Sequence, residues 1–438
     1  MDLASVNTGT DAYRAQTKRY IYLLFALQAI GASSPPIIIS LGGLVGETLS
    51  SNKTLSTLPV SLFNIGLALS VLPIGFMIAR IGRVNAYTLG ALSALIGGAI
   101  AAWGVTSGSF GLFCLGCLLA GCYAACVQSY RFAITDYVAR PEQPMAISRI
   151  MLGGLLAAVI GPQLVIWTQH LLPVPLSASF LSQSLLALIA LLFLWRMRQM
   201  TAQLAAQQRH LSKQLPQHET VLVPPRSLRE IASSFRFISI AVAGLVSYGL
   251  MTFMMTATPL AMLHSGHSLS TATLGIQWHI LAMYAPGFVT GRLMTRFGPR
   301  KICVTGLLLT ACAAAVSMVG NEVIWFWSGL ILLGVGWNFG FVSATVMLTS
   351  CYTHQERLKT QSLNDTFVFG TTALASLLSG QMLHIIGWFW LNILVFIPVM
   401  IALGLLFIQY LSEKKQLAGV PKSLPDDGEQ AGKRQVSG

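Results

Sequence analysis

The sequence predicts an all-α membrane protein made of two six-helix transmembrane bundles related by an internal pseudo-two-fold repeat. Three observations carry this expectation. Apolar residues make up 54% of the 438 residues and charged residues 9%. Soluble domains average roughly 25% charged residues, so this chain cannot clothe a water-facing surface, and its mean hydropathy of +0.68 agrees. The apolar residues fall into twelve runs, each near the roughly 20 residues needed to cross a bilayer core. Finally, the basic residues alternate in register with those runs.

The runs lie near 21–45, 57–79, 84–104, 109–132, 145–168 and 174–195, then 237–260, 271–291, 302–319, 323–349, 361–383 and 387–411. A polar tail, 1–20, precedes them. A polar central stretch, 196–236, divides them into bundles at 21–195 and 237–411, and a hydrophilic tail, 412–438, follows and reads as disordered. The polar opening predicts no cleaved signal peptide.

Twelve spans place both tails on one side. With that topology, Lys53 alone of the 27 Lys and Arg falls on the opposite side. Basic loops mark the cytoplasmic face, so both termini are expected in the cytoplasm. The net charge of +13 is therefore assigned to membrane orientation, and no nucleic-acid partner is expected. The seven cysteines lie mostly within apolar runs and do not form a disulfide framework. Cys114, Cys117, Cys122 and Cys126 share one run with no His or acid beside them, so close helix packing explains them better than a metal site. The halves repeat with an offset of 216 residues, which carries Arg80 to Arg296, Gly82 to Gly298 and Gly154 to Gly370. Internal repeats of this kind are a feature of transporter folds.

Two loops share a motif. The first runs from Gly75 through Ala79-Arg80-Ile81-Gly82-Arg83, and the second from Gly291 through Thr295-Arg296-Phe297-Gly298-Pro299-Arg300. Both resemble the G-x-x-x-D-R-x-G-R signature of the major facilitator superfamily, with Ala79 and Thr295 in place of its Asp. Asp136 resembles the acidic partner of this turn in the family. Gly161-Pro162, after Gly153-Gly154, is similar to the family's fifth-helix signature but lacks its closing glycine pair. The resemblance extends across all twelve runs. It implies a secondary transporter whose bundles rock about a central cavity lined by spans 1, 4, 7 and 10.

Ionisable groups within spans are expensive and so are functional candidates. Arg131, after Gln128, reads either as a cavity cation or as a snorkelling Arg. Arg149 and Asp365 are equivalent under the repeat. They read as a charge contact at a gate, or Asp365 as a carboxylate at a helix N-terminus. Asp365 is also the candidate proton carrier. His279 titrates near neutrality and suits proton coupling, or it is a packing residue. Trp337, Asn338, Tyr248 and Gln28 complete the candidate binding set.

No phosphate-binding loop, H-E-x-x-H or nucleophile elbow is present, so neither an enzyme nor an ATP-driven pump is expected, and no cofactor or metal is implied. The expected protein is a monomer in a bacterial inner membrane. It moves a small neutral or anionic organic solute, coupled to a proton or another ion. Spans 1, 4, 7 and 10 contain no Asp or Glu, which disfavours a cationic drug. Some relatives similar in spans 8 to 11 move vitamin-like compounds such as riboflavin. A multidrug exporter, and in another class a transport-dead sensor or an intramembrane enzyme, remain as alternatives.

Overall fold

The computed structural model describes residues 3–138, 143–212, 226–353 and 355–418. The expectations placed on Arg140, Lys213, Lys422, Lys433 and Arg434, and on the tail beyond Ala418, lie outside the described residues.

In the first half, the chain forms α1 Leu3–Gly31, α2 Ser34–Leu49, α3 Leu58–Ile81, α4 Arg83–Thr106, α5 Phe110–Ala133, α6 Gln143–Met151, α7 Gly153–Thr168 and α8 Ser177–Ser212. The second half contains α9 Leu228–Ser233, α10 Phe235–His264, α11 Leu269–Tyr284, α12 Gly287–Phe297, α13 Pro299–Ser317, α14 Val323–Trp337, α15 Ser343–Leu348, α16 Arg357–Leu394 and α17 Phe396–Ala418. In hydrocarbon every backbone polar group must be satisfied within the segment, and helices achieve this. Among the described residues, ten helical stretches are long and apolar enough to cross a membrane. One of these, Lys359–Lys414, has 56 residues and is broken at Gly387, whose φ is 77°. That length suffices for two crossings. The eighth expected span is the pair α11 and α12.

Helix also extends beyond the expected span ends. The polar N-terminal segment is part of α1, α8 continues to Ser212, and α17 reaches Ala418. Helical propensity and continuous backbone hydrogen bonding carry these helices past the apolar run.

Outward faces are apolar: Leu69, Trp103, Trp167, Ile397 and Phe407 are all exposed, as suits contact with lipid. Each half has its own core. Tyr20, Leu24, Phe113 and Phe180 belong to the first, and Phe237, Met254, Phe326 and Leu391 to the second. The repeat is visible in the backbone. Gly82 (φ 83°) and Gly298 (φ 84°) make the same turn between consecutive helices, in a region that favours glycine.

Candidate functional site

Five expected spans are interrupted, the last of them at Val395 between α16 and α17. The first breaks between Gly31 and Ser34, just before Pro35 and Pro36. The fifth breaks at Leu152 and the eighth between Tyr284 and Gly287. The tenth contains a π-turn over Asn338–Val342, a feature frequent at functional sites. Transporters often build their sites from discontinuous helices.

A cavity of about 110 Å³ lies between the halves. Gln28, Asn64 and Gln128 face it from the first half, and Tyr248, Met251 and Tyr284 from the second. Among the described residues, no Asp, Glu, Lys or Arg lines it. Gln28 is buried, and its Oε1 has no hydrogen-bond partner. An unsatisfied buried amide is costly, so Gln28 is suited to accept a hydrogen bond from a ligand. Gly154 closes the cavity wall opposite Tyr284, whose ring carbons lie 2.9–3.0 Å from where a Cβ on Gly154 would sit.

Behind Tyr248 and Tyr284 stands an aromatic cluster. Trp337 stacks on Phe341 at 5.4 Å, and Tyr248 meets Trp337 and Phe341 edge-on at 5.5 and 4.9 Å. The buried Trp337 indole Nε1 has no partner. Asn338 has its amide committed to structure: it accepts from Thr290 Oγ1 at 2.6 Å and donates to Met283 O at 2.7 Å. Asn338 therefore pins the π-turn to the break in the eighth span.

Arg131 lies one turn beyond Gln128 on α5. Its Nε is buried without a partner, and its charge acts on Tyr248, Tyr284 and Asp365, all in the second half. Asp365 thus lies within the field of Arg131, but no ion pair joins the two among the described residues. Arg149 is exposed on α6 and takes part in none of the ion pairs among the described residues; equivalence under a repeat does not bring two groups together. His279 is fully buried, with Nδ1 2.7 Å from Leu330 O on α14. It does not line the cavity.

At the first motif loop, Arg83 Nε and Nη2 grip the Asp136 carboxylate at 2.7 and 3.1 Å. The second loop uses another partner, with Arg300 donating to Glu413 on α17 at 2.5 Å. Glu413 stands beside Lys414 and Lys415, so it gave no sequence signal. Arg80 and Gly75 are exposed, as are Arg296 and Gly291. On α7, a Cβ at Gly161 would meet Ser33 O at 2.6 Å and Pro36 Cβ at 2.9 Å, so Gly161-Pro162 packs on the break in the first span.

Sequence reasoning also missed a clasp at the end of the central segment. Arg226 binds both oxygens of the buried Glu356 carboxylate, at 3.0 and 2.8 Å, and Glu356 accepts from Thr353 N at 2.8 Å. Lys359 Nζ donates to Arg226 O. The Arg226 guanidinium, then the Thr353 N–H, hold the Glu356 carboxyl well below the usual carboxylate range. The Ser227–Glu230 capping box that follows was a readable signal.

Among the described residues, the hydrogen bonds between halves gather at the end away from the basic loops. Asn64 Nδ2 donates to Ser376 Oγ (3.2 Å), which donates to Ser61 Oγ (3.3 Å). Gln163 donates to Gln277 (3.0 Å) and Gln169 to Ser270 (3.1 Å). His264 Nε2 lies 3.0 Å from Glu47.

The family model described as Major Facilitator Superfamily matches residues 21–286 and 240–435. The chain is 53% identical to the riboflavin transporter RfnT of Brucella anthropi over 388 residues, which is 88% of this chain and 94% of that protein. It is 27% identical to the uncharacterized MFS-type transporter YdeG of Bacillus subtilis, over 86% of this chain and 89% of that one. A further Bacillus subtilis MFS-type transporter, YddS, is 29% identical over 83% and 84%. With its interrupted helices, its repeat and its cavity between halves, the chain belongs to the Major Facilitator Superfamily and is a multi-pass membrane transporter.

Proposed function

We propose that this protein is a secondary transporter of riboflavin, working by alternating access. The observation that carries the reading is the 53% identity to a riboflavin transporter over nearly the full length of both chains. The cavity chemistry supports it. Tyr248 and Tyr284 offer their rings to a flat heterocycle, Gln28 and Gln128 offer amides to its polar edge, and Met251 adapts to its outline. The absence of acids from the lining, among the described residues, suits a neutral solute.

Ligand pockets run to roughly 300–1,000 Å³, and this cavity is about 110 Å³. The halves must part to admit the solute. The polar contacts at the end away from the basic loops hold that end shut, so opening begins at the basic end. In this reading the basic end is cytoplasmic, as are both termini. Twelve crossings form bundles at 21–195 and 237–411, joined by 196–236, in a bacterial inner membrane. Asp365, within the field of Arg131 from the other half, is the group proposed to carry a coupling proton.

Flux of radiolabelled riboflavin into proteoliposomes tests the proposal. Saturable flux is expected. Tyr248→Ala or Tyr284→Ala should raise the half-saturating concentration roughly five- to hundredfold, as for loss of one ring stacked on a base. An imposed proton gradient should accelerate wild type but not Asp365→Asn. Absence of riboflavin flux from folded protein overturns the substrate; flux indifferent to the proton gradient overturns the coupling.

A further inference from the structure

A groove of about 970 Å³ lies on the second half and shares no lining residue with the central cavity. It is framed by the starts of α10 and α13, by α15 and by the middle turns of α17. Its walls are apolar, with Val304, Met347, Leu403 and Phe407 among them. Its rim, at the end where the basic loops gather, holds Arg236, Arg300 and Lys301. The groove opens outward, because Lys301 and Thr305, one turn apart on α13 and both in its lining, are exposed. It therefore pairs a cationic rim at the membrane boundary with an apolar wall at membrane depth.

Among the described residues, the rim cations outnumber the acid paired with them. Glu413 is the acid paired there, 2.5 Å from Arg300 and 4.0 Å from Arg236, against three cations. Arg300 Nε is buried without a hydrogen-bond partner. The repeat supplies an internal control. The cleft around Gly82 in the first half corresponds to the groove around Gly298, and there the positions of Arg236, Arg300 and Lys301 are taken by Tyr20, Val84 and Asn85. That cleft has its own cations, Arg198 and an Arg83 held bidentately by Asp136, so the two copies differ in where their cations sit and how they are paired.

We propose that this groove binds an anionic phospholipid of the adjacent leaflet, its phosphate on Arg236, Arg300 and Lys301 and its acyl chains along the wall of α13 and α17. Basic pockets between helices at the cytoplasmic side recognise such headgroups. The site is separate from the solute cavity, and the proposal does not depend on which solute is carried.

Native mass spectrometry of the full chain, released from nanodiscs of equal parts dioleoylphosphatidylglycerol and dioleoylphosphatidylcholine, tests it. Wild type should retain phosphatidylglycerol in clear excess. Each cation near the surface is worth about fivefold in anionic-lipid binding, so R236Q/K301Q should lose roughly 25-fold of that preference. Its melting temperature in pure phosphatidylcholine should equal that of wild type, which separates lost binding from lost folding. V304W fills the groove without touching a charge and should expel the lipid as well. Equal retention of both lipids by wild type, or a preference unchanged in either variant, overturns the proposal. So does equal stabilisation by soluble glycerol phosphate, which lacks the chains.

Discussion

Glu356 shows how one buried carboxylate anchors a linker to a bundle. Its partners hold its pKa below the usual value near 4.3. Folding therefore favours the ionised form. The stability this contributes is fully present above the unfolded pKa, is lost progressively as pH falls below it, and is gone once pH has passed through the depressed folded value. Glu356→Gln should lower the melting temperature at pH 7, and the gap from wild type should narrow by pH 3, read by thermal shift. A gap that is constant with pH would mean that the carboxylate charge does not hold the clasp. Nothing in local sequence singles out Glu356, because its partner Arg226 lies 130 residues away.

At the level of elements, the breaks matter more than the helices. Pro35 and Pro36 restrict the first span locally, whereas the contact of the break with α7 depends on tertiary packing at Gly161. A larger side chain there must displace the Ser33 carbonyl or Pro36. Gly161→Leu should destabilise by about 1–3 kcal/mol, the usual cost of overpacking, as a lower melting temperature in detergent. An unchanged value would show that the break yields freely. The π-turn at Asn338–Val342 was not legible beforehand. It is stabilised by Thr290 and Met283 O on other segments, and local propensity does not encode partners so distant. Asn338 read as a candidate ligand group for the same reason: its residue type was visible and its committed hydrogen bonds were not.

Over the whole molecule, the asymmetry of contacts between halves defines the conformation. One end is joined by Asn64, Ser61 and Ser376, by the glutamine pairs and by His264 with Glu47. Rocking must break these contacts and make others at the basic end. In a background lacking the native cysteines, S61C/S376C should crosslink under mild oxidation and stop transport until reduced. Transport that persists in fully crosslinked protein would rule out opening at that end.

The sequence by itself determined the membrane class, the repeat and the family resemblance. Each rests on signals carried within a short window or at a fixed offset: apolar runs long enough to cross a bilayer, cations confined to alternate loops, and Gly82 and Gly298 at matching turns. Tertiary structure alone decided which polar residues share a space. It placed Asp365 within the field of Arg131, left Arg149 exposed, turned His279 into the packing with α14, and gathered Gln28, Gln128 and Tyr248 around one cavity. The physical reason is that a helix displays its residues around its full circumference. Which face meets lipid, a neighbour or the cavity is settled by packing between segments hundreds of residues apart.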